Sequence, residues 1–140
     1  MATLEKAIEL AAKHHAGQLD KSGQPYILHP LAVMAKVDGL TAKTVAVLHD
    51  IIEDTEITAD DLRRKGFSDE IVNAVIALTK ANDMTRIEAA YQAKANPIAR
   101  IVKLADLSEN MNLGRISNPT KKDYDRLKEY EQVKAILEAS

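Results

Sequence analysis

Apolar residues recur along this chain at helical spacing almost from end to end. Leu4, Ala7, Ile8 and Ala11 stand three and four apart and predict a first amphipathic helix, which Gly17 stops. A polar loop containing Gly23 and Pro25 follows as far as Leu28. Pro30 suits the first turn of a second helix, where its missing N–H is not needed, so His29 falls at the mouth of that helix. Thr41 reads as the cap of a third helix through Ile52, with Val45, Leu48, His49 and Ile52 along one stripe.

Thr58 with Asp61, Thr85 with Glu88 and Thr120 with Asp123 have capping-box spacing and mark further helix starts. Gly66 ends the helix begun at Thr58. Ser68 opens the next, with Ile71, Val75 and Leu78 as its stripe, and Asn96-Pro97 opens another carrying Ile98, Ile101, Val102 and Ala105. No alternation of apolar and polar residues lasts for a strand length. The expectation is an all-α bundle of about seven or eight helices, irregular after Gly17, around Thr55 and after Asn112.

Composition narrows the class. A chain of 140 residues with five Gly, four Pro and no internal repeat predicts one domain over 1–140, able to bury a core without disulfides or structural metal. The absence of Cys and of a leading apolar segment argues for a cytoplasmic protein, and the apolar runs fall short of the roughly 18 residues a membrane helix needs. A formal charge of −2, with acids and bases interspersed, carries no footprint for a nucleic-acid polymer or a lipid surface. Nothing in the pattern specifies an oligomeric state.

The chemistry gathers around His49-Asp50. The pair lies in the apolar stretch Val45-Ala46-Val47-Leu48-His49-Asp50-Ile51-Ile52, where burying a charge without a partner costs several kcal/mol. Taken singly, a histidine is usually a satisfied core or surface residue and an Asp near a helix start is usually a cap. Joined with His29 upstream and Asp106 downstream, the pair offers two imidazoles and two carboxylates. That donor set suits Mn, Fe or Zn better than Ca, and no thiolate competes. In a helix ending near Asp54, His49 and Glu53 are four apart, as are Asp50 and Asp54, so four polar groups project over one turn. Acids at a helix C-terminus oppose its dipole, which favours a catalytic over a merely solvated exit. A divalent ion held by His29, His49, Asp50 and Asp106 lowers the pKa of water and screens phosphoryl charge, while Glu53 or Asp54 orients that water or takes its proton. No Ser/His/Asp or Cys/His nucleophile arrangement and no Walker-type loop offers another mechanism.

Five segments in order carry a resemblance: His14-His15-Ala16-Gly17-Gln18, the run from Ser22 to Pro30, the run from Leu48 to Thr55, Leu78-Thr79-Lys80, and the run from Lys103 to Met111. Together they resemble the HD-domain phosphohydrolases, and more narrowly the hydrolase domain of Rel-type alarmone synthetase/hydrolases and the stand-alone small alarmone hydrolases. The resemblance implies one Mn ion on His29, His49, Asp50 and Asp106, water attack assisted by Glu53 and Asp54, and a nucleotide contact from Asn110. The reaction it implies is removal of the 3′ pyrophosphate from the guanosine alarmones ppGpp and pppGpp. Lys21, Ser22, Thr79 and Lys80 lie in the matched motifs as expected substrate contacts, and Tyr26 either stacks on a base or braces the loop holding His29. Arg100, Lys103 and Arg115 are further phosphate candidates, whereas Lys121 to Glu131 reads as a solvated helix face with Leu127 and Val133 turned inward.

One departure stands at Asp20-Lys21, where the long enzymes of the family usually carry two adjacent basic residues, one packing on the guanine. An acid there accepts hydrogen bonds from a base edge or repels a highly charged ligand. A synthetase domain does not fit in 140 residues, so a stand-alone hydrolase is expected. Two alternatives stay open: hydrolysis of another small nucleotide, and a nucleotide-sensing module without turnover.

Overall fold

The computed structural model describes residues 2–112 and 118–139. Among them the chain forms nine α-helices: α1 (Leu4–His14), α2 (Leu28–Ala35), α3 (Leu40–Leu48), α4 (Ile51–Asp54), α5 (Ala59–Arg64), α6 (Asp69–Ala77), α7 (Arg86–Lys94), α8 (Pro97–Asn110) and α9 (Lys121–Glu138). The only β pairing among the described residues is an isolated bridge between Leu19 and Pro25. The all-α expectation therefore holds.

Local chemistry explains most boundaries. Capping boxes form at Thr58/Asp61, Thr85/Glu88 and Thr120/Asp123, so each threonine oxygen satisfies an otherwise orphaned backbone N–H of the first turn. Ser68 and Asn96 cap α6 and α8 in the same way. The third helix differs from expectation at both ends. It begins at Leu40, and its cap is Gly39, not Thr41, because the chain turns in at φ +88°, a conformation glycine adopts without the usual side-chain clash. It ends at Leu48, and the segment expected to continue through Ile52 is broken at His49-Asp50 before the short α4 begins.

Two apolar clusters hold the helices. The larger one joins Ala7, Leu10 and Ala11 of α1, Val33 of α2, Val45 to Leu48 of α3, Ile51 of α4 and Val72, Ala74 and Val75 of α6. A smaller one packs Ala90 and Ala93 of α7, Ala99 and Leu107 of α8, and Val133 and Leu137 of α9. Helix α8 is the seam, since its Val102 and Ala105 face the larger cluster while Ala99 and Leu107 face the smaller. No helix of the described residues is long and apolar enough to cross a membrane.

Candidate active site

On an unbroken helix, successive side chains diverge by about 100° and cannot meet at one point. The break between α3 and α4 removes that constraint. Asp50 adopts φ −104°, ψ 0°, close to the sparsely used bridge region, and its Oδ2 comes within 3.0 Å of Nε2 of the preceding His49. From α2, His29 brings Nε2 to 3.9 Å from the same oxygen. Donor atoms of His29, His49 and Asp50 all lie within 4.8 Å of one another. Helix α8 adds Asp106, whose Oδ1 stands 2.8 Å from His29 Nε2 and 3.4 Å from His49 Nε2. The four residues expected from the sequence thus lie together, three with mutually close donor atoms and Asp106 beside both imidazoles.

The state of His49 is set from behind. Its Nδ1 lies 2.6 Å from the Ala46 carbonyl oxygen, which can only accept, so Nδ1 carries a proton and Nε2 is turned toward the carboxylates. That Nε2 is buried and makes no hydrogen bond. Burial opposes charge on His49, yet Asp50 and Asp106 hold its pKa well above the ordinary imidazole value. For Asp106, burial works toward the neutral acid, but Lys103 and the two imidazoles keep it well below the usual carboxylate range. The pocket thus calls for positive charge, and its donors and orphaned nitrogen fit a divalent cation.

Further groups fix this cluster. Tyr26 donates its hydroxyl to Asp50 Oδ2, which is the bracing arrangement; burial first and Asp50 next push its pKa up. Lys103 Nζ and Asn110 Nδ2 donate to Asp106 at 3.3 and 3.2 Å. Glu53 accepts at Oε1 from the Lys80 backbone N–H at 2.8 Å. Asp54 stands at the cavity lip; partial burial, then the charges of Asp50 and Glu53, push its carboxyl up to about 6.

These residues form one end of a cavity of about 390 Å³ that extends to a far wall of Arg86, Arg126, Leu127 and Tyr130. Lys21, Lys80, Lys103 and Asn110 also line it. Ser22 and Thr79 do not: Ser22 donates its N–H and hydroxyl to Asp20 Oδ1 at 2.9 and 2.8 Å, and Thr79 donates to the Val75 carbonyl at 2.8 Å. Arg100 points elsewhere, toward the Ala139 carbonyl at 3.4 Å. Arg115 lies outside the described residues.

The sequence reading missed the far wall. The segment from Lys121 to Glu131, expected to be a solvated face with Leu127 turned inward, contributes Asp123, Arg126 and Tyr130 to the cavity alongside Leu127. Their spacing, continued by Val133, is that of one helical face, which was a readable signal masked by the density of charges around it. Arg86 lies 5.3 Å above the Tyr130 ring and pairs with Glu129 at 2.5 Å.

The chain is similar to known proteins. A family model for the HD domain matches residues 7–112. A Streptomyces coelicolor protein named GTP pyrophosphokinase is 38% identical over 126 residues, covering 80% of this chain and 15% of that protein. A Borreliella burgdorferi guanosine-3′,5′-bis(diphosphate) 3′-pyrophosphohydrolase is 34% identical over 122 residues, covering 76% of this chain and 18% of the relative. The chain therefore spans less than a fifth of the length of these relatives. A solved structure described as a metazoan ortholog of SpoT that hydrolyzes ppGpp superposes with a TM-score of 0.79 at 22% identity, over 99% of this chain and 87% of that one.

Proposed function

Because the chain belongs to the HD-domain family, we propose that it is a metal-dependent phosphohydrolase whose substrates are the guanosine alarmones ppGpp and pppGpp, from which it removes the 3′ pyrophosphate. The observation that carries the reading is His49, fixed by Ala46 with a buried, unbonded Nε2 facing two carboxylates. A side chain held this way is prepared to be a metal ligand.

In this reading His29, His49, Asp50 and Asp106 hold one divalent cation; the mixed nitrogen and oxygen donors suit Mn, Fe or Zn, and the resemblance to the alarmone hydrolases selects Mn²⁺ among them. When bound, such an ion lowers the pKa of water and screens phosphate charge. The remaining work belongs to the chain. Glu53, anchored by the Lys80 N–H, orients the attacking water, and Asp54, with its carboxyl raised toward neutrality, accepts the proton. Lys21, Lys80 and Lys103 meet the phosphates near the reacting end, Asn110 contacts the nucleotide, and Arg86, Arg126 and Tyr130 receive the remainder at the far wall. A cavity of about 390 Å³ suits a mononucleotide. The names of the relatives support the substrate class, since one is a guanosine-3′,5′-bis(diphosphate) 3′-pyrophosphohydrolase and another a GTP pyrophosphokinase.

The test is a nucleotide panel incubated with the Mn-loaded protein, with products separated by chromatography. Pyrophosphate released from ppGpp is the expected result. Orthophosphate from a nucleoside monophosphate, with ppGpp left intact, overturns the substrate assignment, and no turnover of any nucleotide leaves a sensing module.

A further inference from the structure

Helix α4 has four residues, too few to hold a helical shape by themselves. It nevertheless carries Glu53 and Asp54, and its position decides where both carboxylates point. Its last carbonyl has no partner within the helix, because Thr55 leaves in extended conformation at φ −136°, ψ 179°. That carbonyl is met from outside by Gln18 Nε2, which donates to Asp54 O at 3.0 Å.

This bond settles which way the Gln18 amide faces. Its oxygen is turned toward His15, whose Nδ1 is 2.9 Å away and must be the donor, since a carboxamide oxygen only accepts. His15 is 2% exposed, and its ring packs beside Tyr26 with centroids 5.1 Å apart. Tyr26 in turn holds Asp50. Beyond Thr55, His14 Nδ1 pairs with Glu56 Oε1 at 2.7 Å. The end of α1 and the turn that follows it thus grip the chain on both sides of Thr55. Gly17, at φ +86°, makes the reversal that brings Gln18 across. Residues 14–18 do not line the cavity, so this stretch, the first of the matched segments, has no place as ligand or substrate contact.

We propose that His15 and Gln18 are positioning residues: a relay from His15 Nδ1–H to Gln18 and from the Gln18 amide to the Asp54 carbonyl clamps the end of α4 and thereby aims Glu53 and Asp54. The proposal rests on the hydrolase reading for its catalytic consequence. Its structural part does not.

The experiment compares the Mn-loaded full chain with Gln18→Met, which keeps bulk but loses both polar atoms, and with His15→Asn, whose side-chain N–H can reach the same oxygen. In Gln18→Met, amide hydrogen exchange at Asp54 and Thr55 should accelerate about tenfold. Because a misplacement of about 1 Å can cost roughly 100-fold, kcat on ppGpp should fall about 10- to 100-fold while KM and bound metal stay at wild-type values. His15→Asn should lose folding stability through the vacated ring space but keep kcat. Wild-type exchange and kcat in Gln18→Met overturn the clamp, as does a loss of kcat in His15→Asn equal to that in Gln18→Met. If the wild type leaves ppGpp intact while exchange still accelerates in Gln18→Met, the hydrolase reading fails and the clamp stands.

Discussion

The two ends of the cavity are built differently. At the His-Asp end, His29 comes from the start of α2, His49 and Asp50 from the α3–α4 break and Asp106 from within α8, and His29, His49 and Asp106 are at most 7% exposed. Several polar groups there are fixed by a neighbour, as when Ala46 accepts from His49 Nδ1 and Tyr26 holds Asp50. At the far wall, Arg86 of α7 and Arg126 and Tyr130 of α9 line the cavity; Tyr130 packs against the smaller cluster and Arg86 is exposed. The near end is arranged for chemistry that tolerates little displacement. The far end is arranged for recognition, where a long cation can shift to follow a phosphate.

The largest effect should come from breaking the near end at a ligand. Asp106→Ala removes a partner of both imidazoles and of Lys103, so metal analysis should show the ion lost and turnover reduced by well over the roughly 100-fold typical of outer-sphere changes. Full metal occupancy in that variant refutes the assignment of Asp106. Next, Asp54→Asn keeps shape but removes basicity; it should retain metal and lose about 10²- to 10⁴-fold in kcat. A base must be unprotonated to act, so wild-type kcat should decline as pH drops through about 6, and the variant should lose that limb. A pH profile of the same shape in both proteins removes Asp54 as the proton acceptor. The smallest effect belongs to the far wall. Arg126→Ala should raise KM for ppGpp about tenfold, the value of one charge-assisted contact, with kcat and metal content unchanged. A fall in kcat instead would mean that the two ends are not separable.

Much of the near end was readable because burial of polar residues is costly enough to be informative: His49-Asp50 inside an apolar run has few innocent explanations. The helix starts were equally legible, since a threonine followed three residues later by an acid satisfies two backbone donors wherever it occurs. The interruption at Asp50 was not legible. The apolar spacing of Val45, Leu48 and Ile52 continues straight through it, and only tertiary contacts decide that the backbone turns there. Asp20 shows the same limit. As a charge it suggested base recognition or repulsion; it does line the cavity, and its Oδ1 also accepts from Ser22 N, Ser22 Oγ and Gln24 N and so organises the loop, a role its charge alone did not announce. Reading Arg126 and Tyr130 required knowing which face of α9 meets the cavity.

The wide sequence separation of the ligands has a consequence beyond catalysis. His29 and Asp106 are 77 positions apart and sit on α2 and α8, with His49 and Asp50 between them at the α3–α4 junction. A cation shared by all four is a cross-link that an unfolded chain cannot reproduce, so its binding energy adds to the folded state, by about 4 kcal/mol when the ion is at 1,000 times its dissociation constant. With one ion held by the four residues as proposed, the lifetime of the protein against unfolding and proteolysis would be tied to the supply of that ion, and metal starvation would thin the population of folded molecules.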